Sequence, residues 1–133
     1  MKKDLKAIVG TPTKSLDVTG RSASADGASA DLKGFRSAMV IIDSDAWTKG
    51  SHVFSLDESD DDSTWTAVAA ADYSGSVTID GAADDDQAYV IGYYGSKRYL
   101  RVALDVTGPA TGGAICGGMI VPGHKINGGV LSS

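Results

Sequence analysis

The sequence predicts an all-β protein: an antiparallel β-sandwich, jelly-roll-like, with extended terminal arms. Three observations predict it. Helical periodicity is almost absent, short apolar runs recur between clusters of Gly, Asp and Ser, and 17 glycines against 3 prolines suit many turns. A chain of 133 residues holds one sandwich core and is short for two. Residues 1–133 are therefore read as one domain, with 1–10 an N-terminal arm or edge strand and 122–133 a C-terminal tail.

Taken in order, Leu5 to Val9 and then Ser15 to Val18 read as an edge strand, and Ser22 to Asp31 as a polar loop. The continuous apolar run Ala38-Met39-Val40-Ile41-Ile42 reads as a central strand buried on both faces. His52 to Glu58 alternates, with Phe54 and Leu56 on one side, and Thr64 to Val68 follows as its hairpin partner. In Ala88 to Val106 the alternation of Tyr89, Ile91 and Tyr93 resumes after Gly95-Ser96 with Leu100, Val102 and Leu104. A Gly-first two-residue loop suits a type II′ hairpin, which would set Ile91 opposite Leu100 and Tyr89 opposite Val102. Val90, Tyr94, Tyr99 and Arg101 would then share the other face. Ala114 to Val121 is the last expected strand, with Gly117-Gly118 marking a bulge or close backbone approach and Pro122 ending it.

A formal charge of -5 argues against nucleic acid as the main partner, since phosphate binding needs a basic surface. The single cysteine, Cys116, rules out an internal disulfide and fits a reducing compartment. Met1-Lys2-Lys3 is followed by Asp4-Leu5-Lys6 rather than an apolar signal core, and no run approaches membrane-spanning length. Synthesis in the cytoplasm, with no membrane partner, is the expectation.

The acidic run Asp57-Glu58-Ser59-Asp60-Asp61-Asp62 lacks the ligand spacing and Gly of a calcium loop, so it reads as a hairpin loop capping its own backbone. Ser59-x-Asp61-Asp62-x-Thr64-Trp65 is close to an S-x-D-G-x-x-W hairpin, with Asp62 where Gly is usual. His52 and His124 have no metal-binding spacing, and no nucleophile or nucleotide motif stands out. No catalytic residue, metal or cofactor is expected. Lys97, Arg98 and Arg101 form a basic group suited to acidic loops of a neighbouring copy.

Two stretches carry a family resemblance. Over the stretch Phe35 to Val68 the segments GF, SAM, VII, AWT, GSH and ESDD, then Trp65 and Ala67-Val68, resemble small virion proteins of tailed phages and prophages. So does IGYYGSKRYLRVALDVTG, Ile91 to Gly108, close to a Y-x-G-x-K-R-Y-[IVL]-R-V run. The resemblance implies a head decoration (cement) protein or a related head-completion component, with the major capsid protein as partner. It also implies a homo-oligomer, trimer favoured, made in the host bacterial cytoplasm and resident in the virion.

Two other classes remain open: a carbohydrate-binding adsorption module, if Trp47, Trp65 and the tyrosines line a concave site, or a head–tail or tail-tube ring component. The interface candidates are Leu5 and Ile8 in the N-terminal segment, Trp47 and Trp65, the cations Arg98 and Arg101, and His124, Lys125, Ile126 and Val130 in the tail. Both termini carry too few apolar side chains to fold alone and are read as clasps.

Overall fold

The structure is a computed structural model that describes residues 4–108, 113–127 and 130–131. Among them run a 3₁₀ turn at Leu5–Ile8 and strands β1 (Thr13–Arg21), β2 (Ala25–Asp26), β3 (Ala30–Asp31), β4 (Phe35–Trp47), β5 (Ser51–Ser59) and β6 (Thr66–Ala67). They are followed by β7 (Tyr73–Ser74), β8 (Val77–Ile79), β9 (Gln87–Tyr93), β10 (Tyr99–Thr107), β11 (Ala114–Asn127) and β12 (Val130–Leu131).

All pairings are antiparallel. Sheet I has the order β1-β11-β4-β9-β7, with β12 beside β11; sheet II has the order β2-β10-β5-β6, with β3 on β10 and β8 on β5. The all-β sandwich expectation holds. One core cluster joins the inner faces: Val40, Ile42, Ile91 and Ile120 from sheet I, and Phe54, Leu56, Leu100 and Val102 from sheet II. Each strand contributes every second residue, which is the period of a pleated strand with one buried face. Buried His52 on β5 adds a polar tie between the sheets, with Nε2 2.8 Å from the Arg21 carbonyl of β1.

The hairpin at Gly95-Ser96 is not formed. Strand β9 pairs with β4 and β7, whereas β10 pairs with β5, β2 and β3, so Tyr94 to Arg98 carries the chain from one sheet to the other. The connection takes its hydrogen bonds from neighbours: Tyr94 N–H donates to the Asp72 carbonyl, and Leu32 N–H donates to that of Arg98. A side chain at Gly95 would collide with the Tyr93 ring, 2.6 Å from its hydroxyl, so glycine serves a close approach and not a hairpin turn. Ile91 and Leu100 are both buried, but from opposite sheets. Alternation marks the inward face of a strand without naming its partner.

Other expectations change in the same physical sense. Leu5 to Val9 opens with a 3₁₀ turn, its first amides capped when Lys6 N–H donates to Asp4, while β1 is the edge strand. Residues 22–31 hold the short pairings β2 and β3, and Ala30 is buried; these use the backbone of β10 and need no apolar run. Strand β4 is central but buried on one face, because among the described residues only the 3₁₀ turn at Leu5–Ile8 lies along one side of the outer surface of sheet I, and Met39 stays 38% exposed there.

Pro122 does not end β11. Its carbonyl accepts from Gly10 N–H, so the missing Pro N–H lies on the β1 side, where β1 has already run out beyond Thr13–Ile120, and costs no bond to β4. Residues 123–127 are therefore strand, not free tail, with Lys125 opposite Phe35 and Ile126 N–H donating to the Gly34 carbonyl. The expected clasps at Met1–Lys3 and at 128–129 and 132–133 lie outside the described residues. The close approach at Gly117-Gly118 is real: a Cβ on Gly117 would sit 2.5 Å from the Leu16 carbonyl oxygen, beside two register shifts in β1.

Candidate functional site: the outer face of sheet I

The two outer faces differ in chemistry. Sheet II turns outward Asp57, Arg101, Tyr99 and Asp26, and its cation Arg101 has acid partners within the chain. Arg101 lies 3.2 Å from Asp57 and stacks 4.5 Å above the half-buried Trp65 ring. Arg98 grips Asp31 with two bonds of 2.9 and 2.8 Å, holding that carboxyl down at about 2, and Lys97 reaches Asp60 at 2.7 Å. The basic group expected to meet a neighbouring copy thus has acid partners of its own. Trp65 serves as a platform for Arg101, and Trp47 packs half-buried against the core with its indole N–H on the Gly50 carbonyl. The two tryptophans do not meet in a shared concave site: β6 and the acidic loop hold Trp65, whereas Trp47 ends β4 in the other sheet.

The acidic loop is closed on itself. Asp61 accepts from the amides of Thr64 and Ser63 and from the Ser59 hydroxyl, and these bonds, the Thr64 amide first, hold its carboxyl below the usual aspartate range. Asp62, standing where glycine is usual, adopts φ 60, the left-handed conformation that the turn requires. Asp57 and Asp60 turn away toward Arg101 and Lys97, so the carboxylates diverge. The buried Cys116 thiol is pushed up to about 11 by desolvation.

Sheet I is different. Its outer face presents Met39 and Ile41 from β4, Val90 from β9, and Met119 and Val121 from β11, with Tyr94 just past β9. Val90 is 57% and Tyr94 53% exposed, unusual for side chains so close to a core. Leu5, Ile8 and Val9 lie along one side of the same surface, next to Val121 and His124, and close an apolar groove of about 620 Å³. His124, held at φ 54, meets the Ser37 hydroxyl at 2.6 Å through Nδ1. Toward the other end, Lys14, Asp17 and Asp43 border a second groove of about 410 Å³ over Gly117-Gly118.

Of the ten candidates, this face gathers Leu5, Ile8 and His124, with Lys125 exposed at its end. Ile126 is half-buried in β11, Val130 lies in β12, and Trp47, Trp65, Arg98 and Arg101 are elsewhere. The reading from sequence missed Met39, Val90 and Tyr94. For Met39 the signal was the unbroken apolar run of β4, which marks apolar residues on both faces of a strand without showing that both are covered; for Val90 and Tyr94 it was their place on the strand face opposite Ile91 and Tyr93. No protein-family model and no curated protein matches the chain.

Proposed function

We propose that the chain is a non-catalytic structural protein of a tailed-phage virion, a head decoration protein that binds capsid subunits and acts by association alone. The observation that carries the associative part is the exposed apolar face of sheet I, set against the cations Lys97, Arg98 and Arg101, each of which has an acid partner within the chain. Exposed apolar surface of this kind is stable in water only as a docking surface or at the expense of solubility. Binding to an assembled shell stabilises the assembled state by mass action, which is the whole mechanism required of a decoration protein. The virion assignment rests on the resemblance of Phe35–Val68 and Ile91–Gly108 to phage structural proteins.

Purified particles of the phage or prophage that encodes the chain provide the test. Mass spectrometry and antibody labelling are expected to find it on the outer surface of heads. Absence from particles, or labelling confined to the tail, would remove this reading.

A further inference from the structure

The outward side chains of β4 run Ser37, Met39, Ile41 and Asp43, and the strands beside it extend the apolar rows: Val121 and Gly92 flank Met39, while Met119 and Val90 flank Ile41. Charge on this face lies mainly toward the strand ends. Asp17 and Asp43 stand toward one end, with Lys14 on β1 nearer the centre at the level of Ile41, and Lys125 stands at the other end, beyond His124. Asp43 lies four residues after Met39, and Lys125 pairs with Phe35, four residues before it. At about 3.3 Å per residue the two charges are therefore each ~13 Å from Met39, on opposite sides of it. Both are exposed, and among the described residues neither makes an ion pair.

We infer that a second copy of this chain occupies the face, packed sheet on sheet about a two-fold axis that crosses the strands at Met39. The inference rests on the proposed function's reading of this face as a docking surface and gives it a second copy as occupant. The shell is then bound by the pair through the pair's remaining surfaces, and loss of pairing weakens retention by loss of bivalency. Such a rotation reverses strand direction and exchanges the level of Asp43 with that of Lys125. Apolar rows then cover apolar rows, and each Asp43 comes over the Lys125 level of the other copy, one strand spacing to the side. The same patch serves both copies, as an isologous contact requires. Four full strands at about 4.8 Å spacing and roughly nine residues in length present on the order of 600 Å², the lower end of what each side of a specific interface buries. The two-fold pairing departs from the trimer that the family resemblance implies.

Sedimentation velocity on the isolated protein up to about 100 μM tests the pairing. A dimer is expected for the natural chain. Asp43→Lys and Lys125→Asp are each expected to weaken it at least tenfold, because each sets like charges against one another twice. The double variant Asp43→Lys/Lys125→Asp restores opposite charges and is expected to return to within about threefold of the natural chain. Melting curves and far-UV spectra of all four proteins show whether each is folded. A monomeric or trimeric natural chain, or a double variant no better than the single ones, would overturn the inference. A dimer formed by a chain absent from virions would support the pairing and remove only the virion reading; decorated heads with a monomeric chain would do the reverse.

Discussion

The Tyr93 hydroxyl of sheet I donates to the Glu58 carboxylate of sheet II at 3.2 Å, fastening the two layers at a buried position. Tyr93 is 1% exposed and Glu58 7% exposed, and Lys97 N–H donates to the same phenol oxygen at 3.3 Å. Truncation to Tyr93→Phe leaves a buried carboxylate without its donor and an amide without its acceptor. A loss of about 1–3 kcal/mol is expected in urea unfolding; an unchanged midpoint would show that neither bond contributes.

The same phenol links stability to alkaline pH. Burial first, then the Glu58 charge, push it above the ordinary tyrosine value of 10.0. A group raised in the folded state stabilises fully below its unfolded value, and that contribution is lost as pH rises beyond it. Stability of the natural chain is therefore expected to fall above pH ~10, and less so in Tyr93→Phe. Parallel pH–stability curves for the two proteins would contradict this.

At the acid end, Asp31 is the marker. Its bidentate bond to Arg98 holds it at about 2, so it contributes stability above the ordinary aspartate range and loses it as pH falls toward 2. Carboxyl titration by NMR is expected to place Asp31 well below the ordinary aspartate value of 3.8, and Arg98→Ala to move it up toward that value. A midpoint unaffected by the substitution would mean that the pair is not formed in solution.

Leu100 is fully buried in the core between the sheets. Leu100→Ala is expected to cost about 2–5 kcal/mol. Gly117→Ala probes the backbone instead, since its new Cβ would meet the Leu16 carbonyl and force β1 outward, costing about 1–3 kcal/mol. Chemical unfolding measures both, and a change under about 0.5 kcal/mol in either would contradict the packing described.

The acidic loop is not expected to hold calcium, because Asp57, Asp60 and Asp61 point respectively at Arg101, Lys97 and the loop's own amides. A calorimetric titration with Ca²⁺ should be flat, and EDTA should leave the melting temperature unchanged; a midpoint shift would show that the loop reorganises around the ion.

How far the fold was legible depended on the kind of information each residue carries. Phe54, Leu56, Ile91 and Leu100 were readable as core because burial on one face writes a period of two into the sequence. The partners of β9 and β10 were not readable, since an inward face looks the same whether the next strand pairs beside it or crosses to the other sheet. Pro122 misled because a strand tolerates proline wherever its N–H side meets no ladder, which depends on where β1 ends. The candidate surface was half legible: Leu5, Ile8, His124 and Lys125 were singled out from the segments that hold them, whereas Met39 read as part of a strand buried on both faces and Val90 read as outward but not as part of a docking surface. Lys97, Arg98 and Arg101 read as free cations because Asp60, Asp31 and Asp57 come from distant parts of the chain.

The central claim is that the outer face of sheet I is the working surface, and Val90→Asp tests it most directly. Val90 is 57% exposed on that face, so the substitution places a charge among Met39, Ile41 and Tyr94 while leaving the core intact. Heads purified from particles made with either protein are compared for the amount of chain they retain after sedimentation, and the isolated proteins for melting temperature. The expected result is at least a tenfold loss of bound Val90→Asp chain, about 1.4 kcal/mol or more, with the melting temperature held within a few degrees. Equal retention of the two proteins on heads would contradict the account.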